Sequence, residues 1–369
     1  MSDEQLKYKI GISLIPGIGS VNAKKLIAYT GSIDGVFKEK KKNLLKIPGI
    51  GEFLAEQIVN QKVLDIAEKE IGFIDKHKVN HLFYLDENYP VRLKNCEDAP
   101  VVIFYKGEVD FNQPKVLSIV GTRNATDYGK DCCNKLIDDL KSHKHEVLIV
   151  SGLAYGVDIC AHRAALRCGL DTVAVLAHGL STLYPSLHKA TAKEICMHGA
   201  LLTDFISNTL PDRNNFVKRN RIIAGLADAT VVIESGIKGG ALITADIANS
   251  YNRDVMAFPG RTNDPYSRGT NWLIKTNKAA MIENIDDLEY LLGWDSPSQA
   301  TEARQTQLFV ELSEEEQKIA DLLREQGELA IDLISLQINL PVSKVSAMLL
   351  NLEFAGVVRS LPGKVYRIH

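Results

Sequence analysis

One segment of the sequence concentrates side chains that could bind a polyanion. Between positions 211 and 226, four cations surround the aromatic Phe216, with Asp212 as the nearby acid; the cations are Arg213, Lys218, Arg219 and Arg221. The rest of the segment is apolar and reads as a packed helix, so these charges need partners, and a phosphate backbone is a natural one. Tyr155 and Tyr184 lie on neighbouring loops. Cations beside aromatic faces are typical of sites that bind single-stranded nucleic acid without reading its sequence.

The same cations have a structural alternative. Arg219 and Arg221 could brace the domain through carboxylates such as Asp158 or Glu234 instead of contacting DNA. This alternative suits one of the two arginines better than it suits the whole cluster. The sequence therefore leaves open which of these side chains, with the intervening Asn220, faces a ligand.

Three other loops contain small residues that let a backbone approach an anion, and each opens a helix after an apolar run. Their candidate DNA contacts are Gly121, Thr122, Arg123, Gly152, Lys238, Gly239, Gly240 and Thr244. No loop matches the G-x-G-x-x-G dinucleotide fingerprint or a Walker loop, so no cofactor is predicted. Taken alone, the first two loops are more simply explained as tight turns between a strand and a helix.

A predicted α/β domain, residues 76–294, positions these loops. A β-rich run covers 101–105, and apolar strands then alternate with helical segments of crossover length; the strands are 116–120, 147–150, 173–176, 201–203, 230–233, 255–258 and 280–282. Strands that are apolar on both faces and alternate with helices predict a Rossmann-like, doubly wound, mostly parallel sheet. Ligands bind such sheets at the carboxyl ends of the strands, where the candidate loops lie.

Both flanks of this domain have their own patterns. Residues 1–75 repeat a helix, Pro-Gly-x-Gly turn, helix arrangement at Pro16–Gly19 and Pro48–Gly51, which resembles a helix-hairpin-helix domain; Lys24 and Lys25 follow the first turn. Such turns present backbone N–H groups to phosphates, although a plain helical bundle would use the same glycines. Residues 295–309 are polar and predict a linker.

Residues 310–369 predict three helices and a hairpin, which resembles a winged helix. Ser313 and Glu316 have the spacing of a capping box at the first helix. The third helix carries little charge beyond Lys344 and Glu353. A protein-interaction module is therefore at least as well supported as duplex DNA binding.

The composition limits the remaining classes of function. The net charge of -3 does not favour nucleic acid, so a basic surface has to be local. An acidic amino terminus without an apolar run predicts no signal peptide, and no run is long enough for a membrane span, so we expect a cytoplasmic protein. Six scattered cysteines suit reduced thiols, and the histidines lack finger-like spacing, so no metal is predicted.

Five spaced blocks resemble the core of the DNA-processing protein A (DprA/Smf) family, in order: SIVGTRNATD at 118–127, SGLAYGVDICAH at 151–162, RNRIIAGL at 219–226, GGALITADIA at 239–248, and FPG with SRGTNWLI at 258–274. The resemblance covers about residues 80–290. Tyr155, His178 and His188 depart from the residues common in the family.

The resemblance implies a non-catalytic, dimeric protein that binds incoming single-stranded DNA in competence. It implies that the protein helps to load the RecA recombinase during natural transformation. Carried over by position, the DNA contacts are Gly121, Arg123, the 218–221 stretch with Phe216, and the 239–244 loop.

Three alternatives belong to other classes. A nucleoside-monophosphate phosphoribohydrolase shares this type of sheet, but Gly239-Gly240 is not followed by the Gly-Thr or the glutamate of its motif. A nuclease would need clustered carboxylates for metals, and the acids near strand ends (Asp158, Asp204, Glu234 and Asp246) form no recognised metal pattern. A protein-interaction scaffold would direct the basic cluster at a partner protein.

Overall fold

The computed structural model describes residues 3–294 and 312–368, so the predicted linker lies outside the described residues. The amino-terminal unit consists of helices α1 (Asp3–Leu14), α2 (Ser20–Thr30), α3 (Ile33–Lys38), α4 (Lys41–Leu44), α5 (Glu52–Val59) and α6 (Lys62–His77). Gly17 and Gly49, with φ of 80° and 89°, make the two turns, because side chains disfavour this backbone region. The predicted helix-hairpin-helix repeat is confirmed.

A nine-stranded sheet forms the centre of the protein. Its strands are β1 (Asn80–Phe83), β2 (Val102–Gly107), β3 (Val116–Val120), β4 (Leu148–Ser151), β5 (Thr172–Val175), β6 (Gly199–Thr203), β7 (Ala229–Val232), β8 (Asp254–Ala257) and β9 (Ala280–Met281). The order is β1-β2-β6-β5-β4-β3-β7-β8-β9, with parallel pairing from β6 to β9 and antiparallel pairing at β1 and β2. The predicted doubly wound sheet is confirmed.

Helices cover both faces of this sheet, which is why its strands are apolar on both sides. They are α7 (Val91–Lys94), α8 (Asp127–Ser142), α9 (Val157–Cys168), α10 (Lys189–Ile195), α11 (Arg213–Leu226), α12 (Gly240–Ser250), α13 (Arg268–Lys275) and α14 (Ile285–Leu292). One apolar core lies under α11 and α12, and another lies under α8 and α9. The chain changes direction across the sheet between β3 and β7, which is the switch point where open sheets bind ligands.

The carboxy-terminal unit is a winged helix built from α15 (Glu314–Gln326), α16 (Ile331–Ile338), α17 (Val342–Phe354), β10 (Leu329–Ala330), β11 (Val358–Leu361) and β12 (Val365–Ile368). The predicted capping box of Ser313 and Glu316 is present. The turn between β11 and β12 rests on the core: Gly363 N–H donates to Asn252 O at 2.7 Å, and Arg253 donates to Pro362 O at 3.1 Å.

Among residues 3–294 and 312–368, one bent pair of helices has the length and apolar composition of a membrane span. No single helix there is long and apolar enough to span a bilayer, whereas α16 and α17 together, bent by 110°, meet the criterion by length and composition alone.

Candidate nucleic-acid interface

Four side chains form a surface that we call the Phe216 patch: Arg123, Tyr155 and Tyr184 from three loops, and Phe216 from the first turn of α11. The Arg123 guanidinium lies 5.1 Å from the centre of the Phe216 ring, and the Tyr184 and Phe216 rings meet edge to face at 5.9 Å. These residues and Gly152 line one small depression. Among the described residues Arg123 has no ion-pair partner, so the patch offers an available cation beside aromatic faces.

Two histidines hold the tyrosines of the Phe216 patch in place. His178 is buried, and its Nε2 accepts from the Tyr184 backbone N–H at 3.1 Å. His188 is buried too; its Nδ1 lies 2.8 Å from Leu153 O, and its ring meets Tyr155 at 5.0 Å. In the sequence these histidines stand out only as departures from the family. Their support of Tyr155 and Tyr184 depends on how the loops pack, which the sequence does not show.

Arg219 lies beneath the Phe216 patch. Its side chain is buried, at 4% exposure, its Nη1 donates to Val175 O at 2.7 Å, and its guanidinium lies 5.9 Å from the Phe216 ring. Burial lowers the pKa of Arg219 to about 10, against the opposing effect of Asp158, so the arginine stays charged at neutral pH. Burial in turn raises the pKa of Asp158. Arg219 therefore supports the patch from below.

Lys218 and Arg221 face away from the patch. They are three residues apart, on one side of α11, and line a cleft of about 560 Å³ with the first helix-hairpin-helix turn, whereas Phe216 and Arg219 share another side. Arg221 pairs with Asp204 at 2.5 Å and also donates to the Asp98 carbonyl, while Lys218 is exposed. The cation cluster of the sequence is thus split between two surfaces, and the half-buried Asn220 lies between them.

Arg219 and Arg221 both have the bracing contacts that the sequence alternative described, although the partners differ in part. Arg219 interacts with the expected Asp158, whereas Arg221 pairs with Asp204 and not with Glu234. Their DNA-binding role stays a prediction.

Glu234 fills the place at the switch point where a Rossmann-type sheet would hold a phosphate. Its carboxylate accepts from Thr126 N–H at 2.9 Å and from Thr126 Oγ1 at 2.5 Å at the amino terminus of α8, and its carbonyl accepts from Thr122 N–H at 2.7 Å. Gly121 is tightly packed there, since a Cβ on it would come within 2.8 Å of Val157 Cβ. An acidic side chain at this helix end takes the position of an anionic ligand.

The amino terminus of α12 is open by comparison. Its cap residue Gly239 offers no side-chain hydrogen bond, Gly240 has no atom within 4 Å of a built Cβ, and Lys238 beside it is exposed. Thr244 is buried, and its hydroxyl turns to Gly240 O at 3.5 Å. The exposed part of this candidate loop is therefore Lys238 to Gly240.

The acids at the strand ends have separate partners. Asp158 accepts from Ala154 N–H, Asp204 pairs with Arg221, Glu234 caps α8, and Asp246 pairs with Lys278 at 2.8 Å. They do not converge on one point, as a nuclease metal site would require.

One group of possible metal ligands exists among the described residues. Ligand atoms of His143, Asp286 and Glu289 lie within 4.8 Å of one another. The Glu289 carboxylate is already hydrogen-bonded to His143 at 2.9 Å and to the buried His145 at 2.6 Å. These contacts join α14 to the end of α8, so the group has a structural role.

The fold defines a Rossmann-like core between a helix-hairpin-helix unit and a winged helix. A family model described as DNA recombination-mediator protein A matches residues 80–293, a DprA winged helix domain matches 301–364, and a SAM-like helix-hairpin-helix tandem matches 12–61. The chain belongs to the DNA recombination-mediator protein A family. The resemblance stated from the sequence is confirmed.

Relatives match over most of their length. Protein Smf of Synechocystis is 31% identical over 100% of both chains. The X-ray structure of DNA processing protein A from Streptococcus pneumoniae superposes with a TM-score of 0.64 at 30% identity, covering 79% of this chain and 98% of that one. DNA processing protein A from Helicobacter pylori, described for its single-stranded DNA binding mode, has a TM-score of 0.53 at 29% identity, with 59% and 97% covered.

Proposed function

We propose that this protein binds single-stranded DNA without sequence preference, as a non-catalytic component of DNA processing in natural transformation. The Phe216 patch carries the proposal, because it places an available guanidinium beside an aromatic ring at the carboxyl ends of the parallel strands. The H. pylori relative, described for its single-stranded DNA binding, supports the same ligand.

The proposed DNA contacts differ in kind. Arg123, Arg213, Lys218 and Lys238 are exposed cations with no ion-pair partner among the described residues, and they would bind phosphates together with the Gly239–Gly240 backbone. Phe216 would stack on a base. Gly121, Thr122, Gly152, Arg219, Asn220, Arg221 and Thr244 would shape and support this surface, because they are buried, half-buried or bonded within the protein.

Salt dependence of binding tests the electrostatic part of the proposal. Labelled oligo-dT is titrated with the protein at several salt concentrations, with duplex as competitor. Four neutralised phosphates on a single strand predict a slope of log K against log salt of about -3. A folded protein that shows no salt-dependent preference for the single strand would refute the proposal.

Substitutions in the Phe216 patch test its location. Phe216→Ala should weaken binding by about 1–3 kcal/mol through lost stacking, for all sequences alike. Arg123→Ala should reduce the salt slope by about 0.7, the contribution of one phosphate. Val217→Ala is the matched control, because Val217 is adjacent and 45% exposed but lies outside the patch. Equal affinities of the Phe216 and Val217 variants would place the site elsewhere.

The proposal also includes that the protein forms a homodimer and helps to load RecA onto single strands. Both parts are based on the family resemblance. Sedimentation of the free protein measures the dimer. If the protein loads RecA, it should shorten the lag before RecA hydrolyses ATP on single strands, and the Phe216→Ala variant should lose this effect.

The winged helix is better suited to a protein partner than to duplex DNA. Its hairpin turn is held against the core by Asn252 and Arg253, and Lys344 on α17 is paired with Glu315 at 2.6 Å. Leu350 and Phe354 on α17 are 51% and 82% exposed.

The phosphoribohydrolase alternative has less support. Glu234 occupies the helix end that would receive the nucleotide phosphate. Release of adenine from AMP by the purified protein would restore that alternative.

A further inference from the structure

Two thiols meet where α8 packs against α9. Cys133 on α8 is fully buried, and Cys160 on α9 is half-buried against the same apolar core. Cys160 Sγ lies 3.9 Å from the carbonyl oxygen of Lys130, one turn before Cys133, and the two thiols interact with each other. Two cysteines on neighbouring packed helices can be joined by a disulfide when their Cβ atoms point toward each other.

The surroundings of the two thiols differ in a way that assigns them different roles. The interaction with Cys133 lowers the pKa of Cys160 to about 7, helped by the nearby Arg167, Lys130 and Arg163 and opposed by burial. The interaction with Cys160 and burial raise the pKa of Cys133 well above its ordinary value. Thiolates, and not thiols, are the nucleophiles in cysteine oxidation, so Cys160 would react first.

Other cysteines in the same helices lack these features. Burial and the nearby Asp138 raise the pKa of Cys168 to about 11. Burial also raises the pKa of Cys132, the residue next to Cys133. The sequence showed six scattered cysteines, and only the packing of α8 on α9 distinguishes one pair among them.

We propose that Cys133 and Cys160 form an oxidisable dithiol, which a peroxide converts into a disulfide joining α8 to α9. The Cys160 thiolate attacks one oxygen of hydrogen peroxide, the O–O bond breaks, and a sulfenic acid and water result once a proton is taken up. The Cys133 sulfur then attacks the sulfenic sulfur and expels hydroxide, which leaves as water with the Cys133 proton. Two thiols and one peroxide thus give one disulfide and two waters.

The bond would connect the helices that begin directly after two loops of the candidate interface. α8 follows the loop with Arg123, and α9 follows the loop with Gly152. Because the crosslink closes a long loop of the unfolded chain, it should also raise the thermal stability of the core, with a Tm shift on the order of 5 °C.

Thiol counting and peptide mapping test the proposal on the full chain. The folded protein is treated with hydrogen peroxide, its remaining thiols are alkylated after denaturation, and its peptides are analysed by mass spectrometry. We expect the six thiols to fall to four, with Cys133 crosslinked to Cys160. Cys133→Ser and Cys160→Ser should each abolish the crosslink, whereas Cys132→Ser, the adjacent control, should keep it.

The initial step has its own measurement. Native Cys160 should react with iodoacetamide at least about ten times faster than Cys168 at neutral pH, since a larger fraction of it is thiolate. Six thiols after peroxide treatment, a crosslink that uses Cys132, or Cys160 oxidised beyond the sulfenic acid while Cys133 stays free would each overturn the proposal.

Discussion

Replacing Gly152 with alanine tests whether this glycine serves the packing of Arg219 or the approach of a ligand. A Cβ built at position 152 would overlap Nη1 of Arg219 and come within 2.7 Å of Asp158 Oδ2. Arg219 is buried and donates to Val175 O, so it cannot move aside and keep its partners. The alanine should therefore displace the guanidinium.

The cost follows from what the displaced charge leaves behind. Arg219 loses a hydrogen bond from a charged donor, worth about 1.5–3 kcal/mol, and Asp158 is left without its counter-charge. We expect Gly152→Ala to lower the free energy of unfolding of the core by about that amount.

Urea unfolding followed by tryptophan fluorescence measures this effect in the core, because the two tryptophans of the chain, Trp272 and Trp294, both lie there. With a slope of about 2–3 kcal/mol per molar urea, the midpoint should fall by about 0.5–1.5 M. Gly240→Ala is the control, since nothing lies within 4 Å of its Cβ, and it should be neutral or stabilise by up to about 1 kcal/mol. Equal midpoints for the two variants would refute the packing role of Gly152.

Two further predictions concern buried polar groups. Glu234→Gln should destabilise the core by about 1–2 kcal/mol in the same assay, because it removes the charge at the amino terminus of α8. The control is Glu283→Gln, which changes an exposed side chain and should leave the stability unchanged. A Glu234 variant as stable as this control would contradict the capping role. Burial, with Arg219 and His188 nearby, lowers the pKa of His162 from its ordinary 6.5 to about 3. The buried, neutral His162 therefore contributes fully to the free energy of unfolding above pH 6.5, and this contribution is lost as the pH falls toward 3. Because of this group, the free energy of unfolding of the core should fall by about 2 kcal/mol between pH 8 and pH 5. The His162→Gln variant should show a smaller decline, whereas the His198→Gln variant should decline like the unsubstituted protein. Parallel profiles of unfolding free energy against pH for all three proteins would contradict the assignment.

The sequence predicted which residues lie near the candidate site better than it predicted how they are arranged. Apolar runs and Gly-rich loops placed Arg123, Gly152 and Phe216 at neighbouring strand ends, and the structure brings these three together. The sequence could not show that the tyrosine loops are held by His178 and His188. Those contacts join residues far apart in the chain, and no local period records them.

Local patterns were sufficient for the framework of this protein. Strand and helix periods, the Pro-Gly turns and the capping box of Ser313 each depend on residues within a few positions, so the sequence determined the three-part fold and the sheet class. The residue boundaries of the domains and the contacts with DNA stay predictions.

Tertiary structure decided which charges remain available to a ligand. Lys24, a candidate phosphate contact in the sequence, donates to the Glu97 carbonyl at 3.0 Å, Arg221 pairs with Asp204, and Arg219 is enclosed beneath Gly152. Arg123 lies against the Phe216 ring and has no ion-pair partner among residues 3–294 and 312–368. A buried or half-buried charge is stable only with partners, and those partners come from distant segments, so only the folded chain separates cations that support the surface from cations that can bind DNA.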